Sequence, residues 1–420
     1  MSLPHKLPGA SLKHIPPLDG IRALAVLMVL LVHCVQFNPE TKFDHYLLRV
    51  CSSTWIGVDL FFVLSGYLIT LILLRTKESP TYFISFYARR ALRIFPLYFL
   101  FVAFAIYIVP MVSTLRHVEP ATVYHKQWWY WLYFSNFLAA KEGAFRHAFL
   151  SPTWTLAIEE QFYLVWPFVV CFCSLRWLTI ISAGLVCLAP ILRWILFDLG
   201  ISGQAIHTMT FTRFDAIAMG SVIACYSIRG AISDIALRRA RLLMFVLGAI
   251  HLYCVRLGLV HKTQPFMIQY GYTIVTLLFG LLILTVVNLR DSSVWYKALT
   301  SPLLVRLGGY SYAVYLFNRP LVPYVKRNVF DPSTFPTVLN SQAPGQLVFF
   351  MIVTLLSVVL AVASWWLIER NFLLLKRYFP SMPPSPAPDV KMKSYSPETV
   401  ECLSQADSSG GSRSVANGQN

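Results

Sequence analysis

The chain is poor in charge. Asp, Glu, Lys and Arg make up 13% of its 420 residues, about half of what a soluble domain carries. Hydrophobic residues make up 56%, and the mean hydropathy is +0.59. Together these exclude an ordinary water-soluble globule. The eight cysteines are Cys34, Cys51, Cys171, Cys173, Cys187, Cys225, Cys254 and Cys402. They show neither zinc-finger spacing nor a disulfide framework. Most fall in apolar segments, which makes them packing residues. No metal motif stands out, and the glycines are too scattered for a nucleotide-binding loop. Acidic residues are also scarce. Against 35 Lys and Arg stand 19 Asp and Glu, for a net charge of +16. The basic residues lie between apolar runs, which is the pattern of cytoplasmic loops on a membrane protein and not of nucleic-acid binding.

What the chain does have is apolar length. Several runs approach the ~20 residues that cross a bilayer as a helix. The fold class is therefore all-α and polytopic. Loop charge orders the segments into ten crossings with both termini cytoplasmic: Ile21 to Val35, Trp55 to Leu74, Ile94 to Val112, Trp154 to Phe172, Leu178 to Phe197, Phe214 to Ile228, Leu242 to Leu259, Ile268 to Val287, Leu307 to Tyr324 and Gln346 to Ile368. The protein is expected in the plasma (inner) membrane as a multi-pass protein. The first apolar run lacks a small-residue cleavage site and is expected to stay as the first helix. A polar loop holding Pro39 and Asp44 is expected after it. A basic loop from Arg75 to Arg93 is expected after the second. The aromatic run Trp128 to Phe134 is too short to cross and reads as interfacial or re-entrant. Residues 1–19 form a basic cytoplasmic tail, 20–378 the transmembrane domain, and 379–420, rich in Pro and Ser at their start, a disordered cytoplasmic tail.

Ionisable groups inside these segments are the strongest functional signal, because such groups face a cavity or one another. His33 lies 11 residues above Arg22 on the first helix, about 16 Å along a helix axis. Asp59, Glu159, Glu160, Arg213, Asp215, Asn318 and Arg319 come from four other helices at a matching level. A histidine beside a carboxylate suits a general base toward a hydroxyl, since the carboxylate fixes its tautomer. No serine or cysteine stands in a nucleophile elbow, so direct transfer is the simpler chemistry. Glu159 and Glu160 diverge by about 100° on a helix. One of them could pair with Arg213 while the other serves the site. Ser65 and Gly66 suit a close helix approach. At the opposite level, Arg22, Arg89, Arg90 and Arg93 offer guanidinium forks that match phosphate. The same cluster also fits an ordinary topogenic role. A proton-coupled transporter would bury a similar set, but no repeat relates the two halves of the chain.

The order of motifs adds a resemblance. Leu18-Asp19-Gly20-Ile21-Arg22, Gly57 to Thr70, Arg89-Arg90-Ala91-Leu92-Arg93-Ile94-Phe95-Pro96, Trp154 to Tyr163 and Glu369-Arg370-Asn371-Phe372 follow one another along the chain. In this it resembles the membrane acyltransferase 3 family of O-acyltransferases, over roughly residues 15 to 378. The resemblance implies that the arginine cluster receives the phosphates of acyl-CoA, most simply acetyl-CoA. The acyl group would then pass between helices to a hydroxyl of a sugar, cell-surface glycan or exopolysaccharide near His33. It implies no permanently bound cofactor. A macrolide-like small molecule is the alternative acceptor. One departure concerns Tyr315-Leu316-Phe317-Asn318-Arg319-Pro320, where many members carry a histidine at the position of Asn318. Asn318 hydrogen-bonds but takes no proton.

Overall fold

No water in hydrocarbon is free to bond a peptide group, so a spanning segment must satisfy its own backbone. The long apolar runs of this sequence do so as helices. The structure is a computed structural model, and it describes residues 14–35, 37–112, 121–230 and 232–380. Its helices are α1 (Pro16–Cys34), α2 (Lys42–Ser53), α3 (Gly57–Thr76), α4 (Tyr82–Ala103), α5 (Gln127–Trp131), α6 (Ser135–Glu142), α7 (Thr153–Phe172) and α8 (Leu175–Asp198). There follow α9 (Gly203–Thr208), α10 (Phe214–Arg229), α11 (Asp234–Leu257), α12 (Tyr272–Val287), α13 (Val294–Leu299), α14 (Pro302–Asn328), α15 (Ala343–Ser364) and α16 (Arg370–Leu374). No strand occurs among the described residues. Eight helical stretches are long and apolar enough to cross a membrane. The protein is thus an all-α, multi-pass membrane protein. Two further helices of the bundle fall outside that set. α10 has 16 residues, and α14 carries Arg306, Arg319, Lys326 and Arg327. All ten segments expected to be helical are helical. Most of the expected tails, residues 1–13 and 381–420, lie outside the described residues.

Two expected loops are helices instead. Residues 42–53 form α2 because Thr41 and Asp44 make a reciprocal capping box. The Thr41 hydroxyl accepts from the Asp44 amide at 3.0 Å, and the Asp44 carboxylate accepts from the Thr41 amide at 3.3 Å. Helix α4 begins at Tyr82, well before the expected Ile94, because Tyr82, Phe86, Ile94 and Leu97 build one buried face. Arg89, Arg90 and Arg93 therefore sit on a formed helix and not at its start. The aromatic run yields only the five-residue α5 and a turn.

The centre of the bundle is α3, which packs against α1, α7, α10 and α12. Its tightest crossing is with α10. A Cβ on Gly66 would lie 1.9 Å from the Ile217 carbonyl oxygen, and one on Gly220 would lie 2.0 Å from that of Val63. Only glycine lets the two backbones touch here, as small residues do between membrane helices. Ser65, expected to share that role, instead hydrogen-bonds the Tyr163 hydroxyl.

Candidate active site

His33 projects from the last turn of α1 into a wide cavity of about 760 Å³. Val58 of α3, Trp154 of α7, His207 of α9, and Tyr315 and Arg319 of α14 share its wall, with Lys262 from the turn before α12. The partner of His33 is Asn318, not a carboxylate: Nδ1 lies 2.6 Å from the Asn318 Oδ1. Asn318 is fully buried, and its Nδ2 donates to the carbonyls of Val314 and Tyr315 at 3.2 and 2.6 Å. Its amide orientation is thereby fixed with Oδ1 as acceptor. His33 must donate from Nδ1, which leaves the lone pair on Nε2. An amide has taken over the tautomer-setting task that a carboxylate was expected to perform.

Two smaller cavities continue from this one. A neck of about 110 Å³ shares Val58 and Tyr315 with the wide cavity and is lined by Arg22, Ser65, Arg90, Arg93, Glu159, Tyr163 and Tyr312. Next, a basic chamber of about 200 Å³ shares Arg22, Leu68, Arg90 and Arg93 with the neck and adds Arg89 and Lys376. The order follows the helices. Along α3 the linings run from Val58 to Leu68 to Thr76, and along α1 from His33 back to Arg22. Arg90 and Arg93 therefore share a face, as their spacing of three suggests. Arg90 stacks 5.0 Å from the Tyr163 ring centre. Arg22 pairs with Asp19 at 2.7 Å. Arg89 is tied to the C-terminal segment, donating to the Phe379 carbonyl at 3.1 Å. Of the two adjacent glutamates, Glu159 lines the neck, whereas Glu160 lines none of the three cavities.

Asp59 takes a different place from the one beside His33. It pairs with Arg213 at 2.7 Å, and both side chains are 1% exposed. Arg213 is thus engaged by Asp59 and not by a glutamate. Asp215 pairs with Arg193 of α8 at 2.8 Å. Arg193 also donates to the Thr212 carbonyl at 2.7 Å and to the Thr273 hydroxyl at 2.9 Å. The Arg213 guanidinium lies 4.3 Å from the Tyr272 ring centre. This double pair joins α3, α8, α10 and α12 and lines none of the three cavities.

Sequence reasoning missed Arg193, His207 and Lys262. Arg193 reads as one charge near the end of an apolar run. His207 and Lys262 sit in short polar connections that carry no periodic signal. The His207 Nδ1 lies 2.6 Å from the Tyr272 hydroxyl, and that hydroxyl donates to the Lys262 carbonyl at 2.8 Å. Burial holds the His207 imidazole well below its usual range, so it is neutral.

Comparisons to known proteins give the family. Residues 15–366 match the family model described as an acyltransferase domain, and the chain belongs to that family. The peptidoglycan O-acetyltransferase OatA of Listeria monocytogenes is 31% identical over 333 residues, covering 74% of this chain and 50% of that protein. The O-acetyltransferase OatA of Staphylococcus aureus is 27% identical over 341 residues, covering 74% and 51%. The chain spans about half the length of these curated relatives. No solved structure matches.

Proposed function

We propose that the protein is a membrane O-acetyltransferase that takes acetyl from acetyl-CoA and places it on a hydroxyl of a cell-wall glycan. The observation that carries this reading is the line of three cavities from the arginines to the free Nε2 of His33. Arg90 and Arg93, helped by Arg22, hold the donor phosphates in the basic chamber with forked, charge-assisted bonds. The neck is too narrow for a nucleotide and suits the thin thioester arm with a short acyl group. The acceptor hydroxyl then gives its proton to Nε2 while its oxygen attacks the thioester carbonyl. The C–S bond breaks, and the departing thiolate takes the proton back from His33. With cytoplasmic arginines, donor and acceptor approach from opposite faces of the membrane. The relatives, a peptidoglycan O-acetyltransferase and an O-acetyltransferase, support acetyl as the group and a glycan as the acceptor. Glu159, lining the neck near the reacting carbonyl, is the better placed of the two glutamates.

The test uses protein in liposomes with radiolabelled acetyl-CoA and a crude glycan extract. Wild type should release CoA and label the glycan. His33→Ala should lower transfer by roughly 10² to 10⁴. Arg93→Ala should demand at least roughly tenfold more donor. A wild type that neither binds nor consumes acetyl-, propionyl- or succinyl-CoA sinks the donor assignment.

A further inference from the structure

The wide cavity has a one-sided charge. Its lining includes Lys262, Arg319 and Lys326, with His33, His207 and His261, and no Asp or Glu. Three acids bonded to residues at or beside its lining are otherwise engaged. Asp44 caps its own helix and accepts from the Ser341 hydroxyl at 2.5 Å. Asp331 accepts from the Ser333 amide and hydroxyl at 3.0 and 2.8 Å. Glu40 accepts from Gln342 at 3.3 Å on the exposed rim. Lys262 and Arg319 are both half-buried, and neither forms an ion pair among the described residues. The Lys262 ammonium rests 5.1 Å from the Phe145 ring centre. Lys262 and Arg319 line one space, and burial and then the Arg319 charge push the Lys262 ammonium down to about 8. Burying like charges together without a counter-ion is costly. A site that keeps them has its counter-charge delivered by its occupant. The aromatic faces of Trp55, Trp154 and Tyr315 line the same space, which suits a ring-shaped body carrying that charge.

We propose that the acceptor is an acidic sugar, one bearing a carboxylate near its reacting hydroxyl, and that Lys262 and Arg319 bind that carboxylate in the wide cavity. The assignment of the occupant as acceptor rests on the acyltransferase reading above. The charge of the occupant does not.

A matched pair of ligands tests this: a fluorescent oligogalacturonate and its methyl ester, which differ in charge and by one methyl on each carboxyl. Their binding to the full chain in detergent is measured by equilibrium titration. The acid should bind roughly tenfold or more tightly than the ester. Raising salt should weaken the acid and leave the ester unchanged. The double substitution Lys262→Gln with Arg319→Gln should bring the acid to the level of the ester. Equal binding of both ligands, binding of neither, or a salt-insensitive preference overturns the proposal. The wild-type ligand pair and salt series decide the matter even if the double variant fails to fold. CoA release from acetyl-CoA, measured in the same preparation, tests the acyltransferase reading separately. Loss of one result therefore does not conceal the other.

Discussion

Two groups of charge sit inside the bundle, and they are built on opposite principles. The pairs Asp59–Arg213 and Asp215–Arg193 balance to zero, are nearly fully buried, and touch none of the three cavities. The set of His33, Lys262 and Arg319 carries surplus positive charge and opens onto about 760 Å³ of space. Tyr272 lies between them, stacked under Arg213 on one side and bonded to His207 on the other. A neutralised cluster holds helices in place. An unneutralised one waits for a ligand. Height along the helices is common to His33, Arg319, Asp59, Arg213 and Asp215 and cannot tell the two groups apart.

The sharpest way to break the comparison is to unbalance the neutral group. Asp59→Ala leaves Arg213 buried without its counter-ion and should cost about 3–5 kcal/mol, enough to abolish folded protein. Adding Arg213→Met to Asp59→Leu should restore much of the loss. Thermal unfolding in detergent reads both, and a single variant as stable as wild type would contradict the structural role. His33→Ala acts on the other group. It should leave the melting temperature almost unchanged while acyl transfer falls by roughly 10² to 10⁴. An intermediate effect comes from Asn318→Ala, which frees the imidazole to turn and should slow transfer by roughly tenfold. A variant with unaltered kcat would show that the amide does not set the tautomer.

The smallest effect is one of pH. Lysine ordinarily titrates near 10.5, and Lys262 is pushed down to about 8. It is charged below that value and neutral above it. The affinity for an acidic acceptor should therefore fall a few-fold as pH rises through about 8, with no such fall for the methyl ester. Arg319, His33, His207 and His261 face the same ammonium. His207 and His261, both held down by burial, lose their protons at lower pH. Lys262→Arg should flatten the profile, which a titration at pH 7 and pH 9 would show.

Much of this was legible in the sequence. The apolar runs gave the helices because a bilayer leaves the backbone no other solution. His33 and the arginines were visible because charge in hydrocarbon is conspicuous. Gly66 was readable as a close contact because only a missing side chain permits one. Partner choice was not readable. Residue spacing gives height along an axis but not direction around it, so Asp59 was read toward His33 and Arg213 toward a glutamate, whereas the two pair with each other. Helix α2 was hidden because its composition is that of a polar loop and its cap lies in just Thr41 and Asp44. Lys262 was hidden because a single lysine between two helices is unremarkable until the fold shows that it points at a cavity.

Cavities that meet end to end within a membrane protein are also the beginnings of a leak. The neck between them is where a hydronium or sodium ion would have to pass. It holds Arg22, Arg90 and Arg93 against the single acid Glu159, and the Tyr315 hydroxyl bonds Thr155 at 2.8 Å across its upper end. Fixed positive charge in a constriction raises an electrostatic barrier to cations, as it does in water-selective pores. The guanidiniums proposed to hold a donor would then also keep cations from crossing, and the potential across the membrane would survive each round of the proposed transfer.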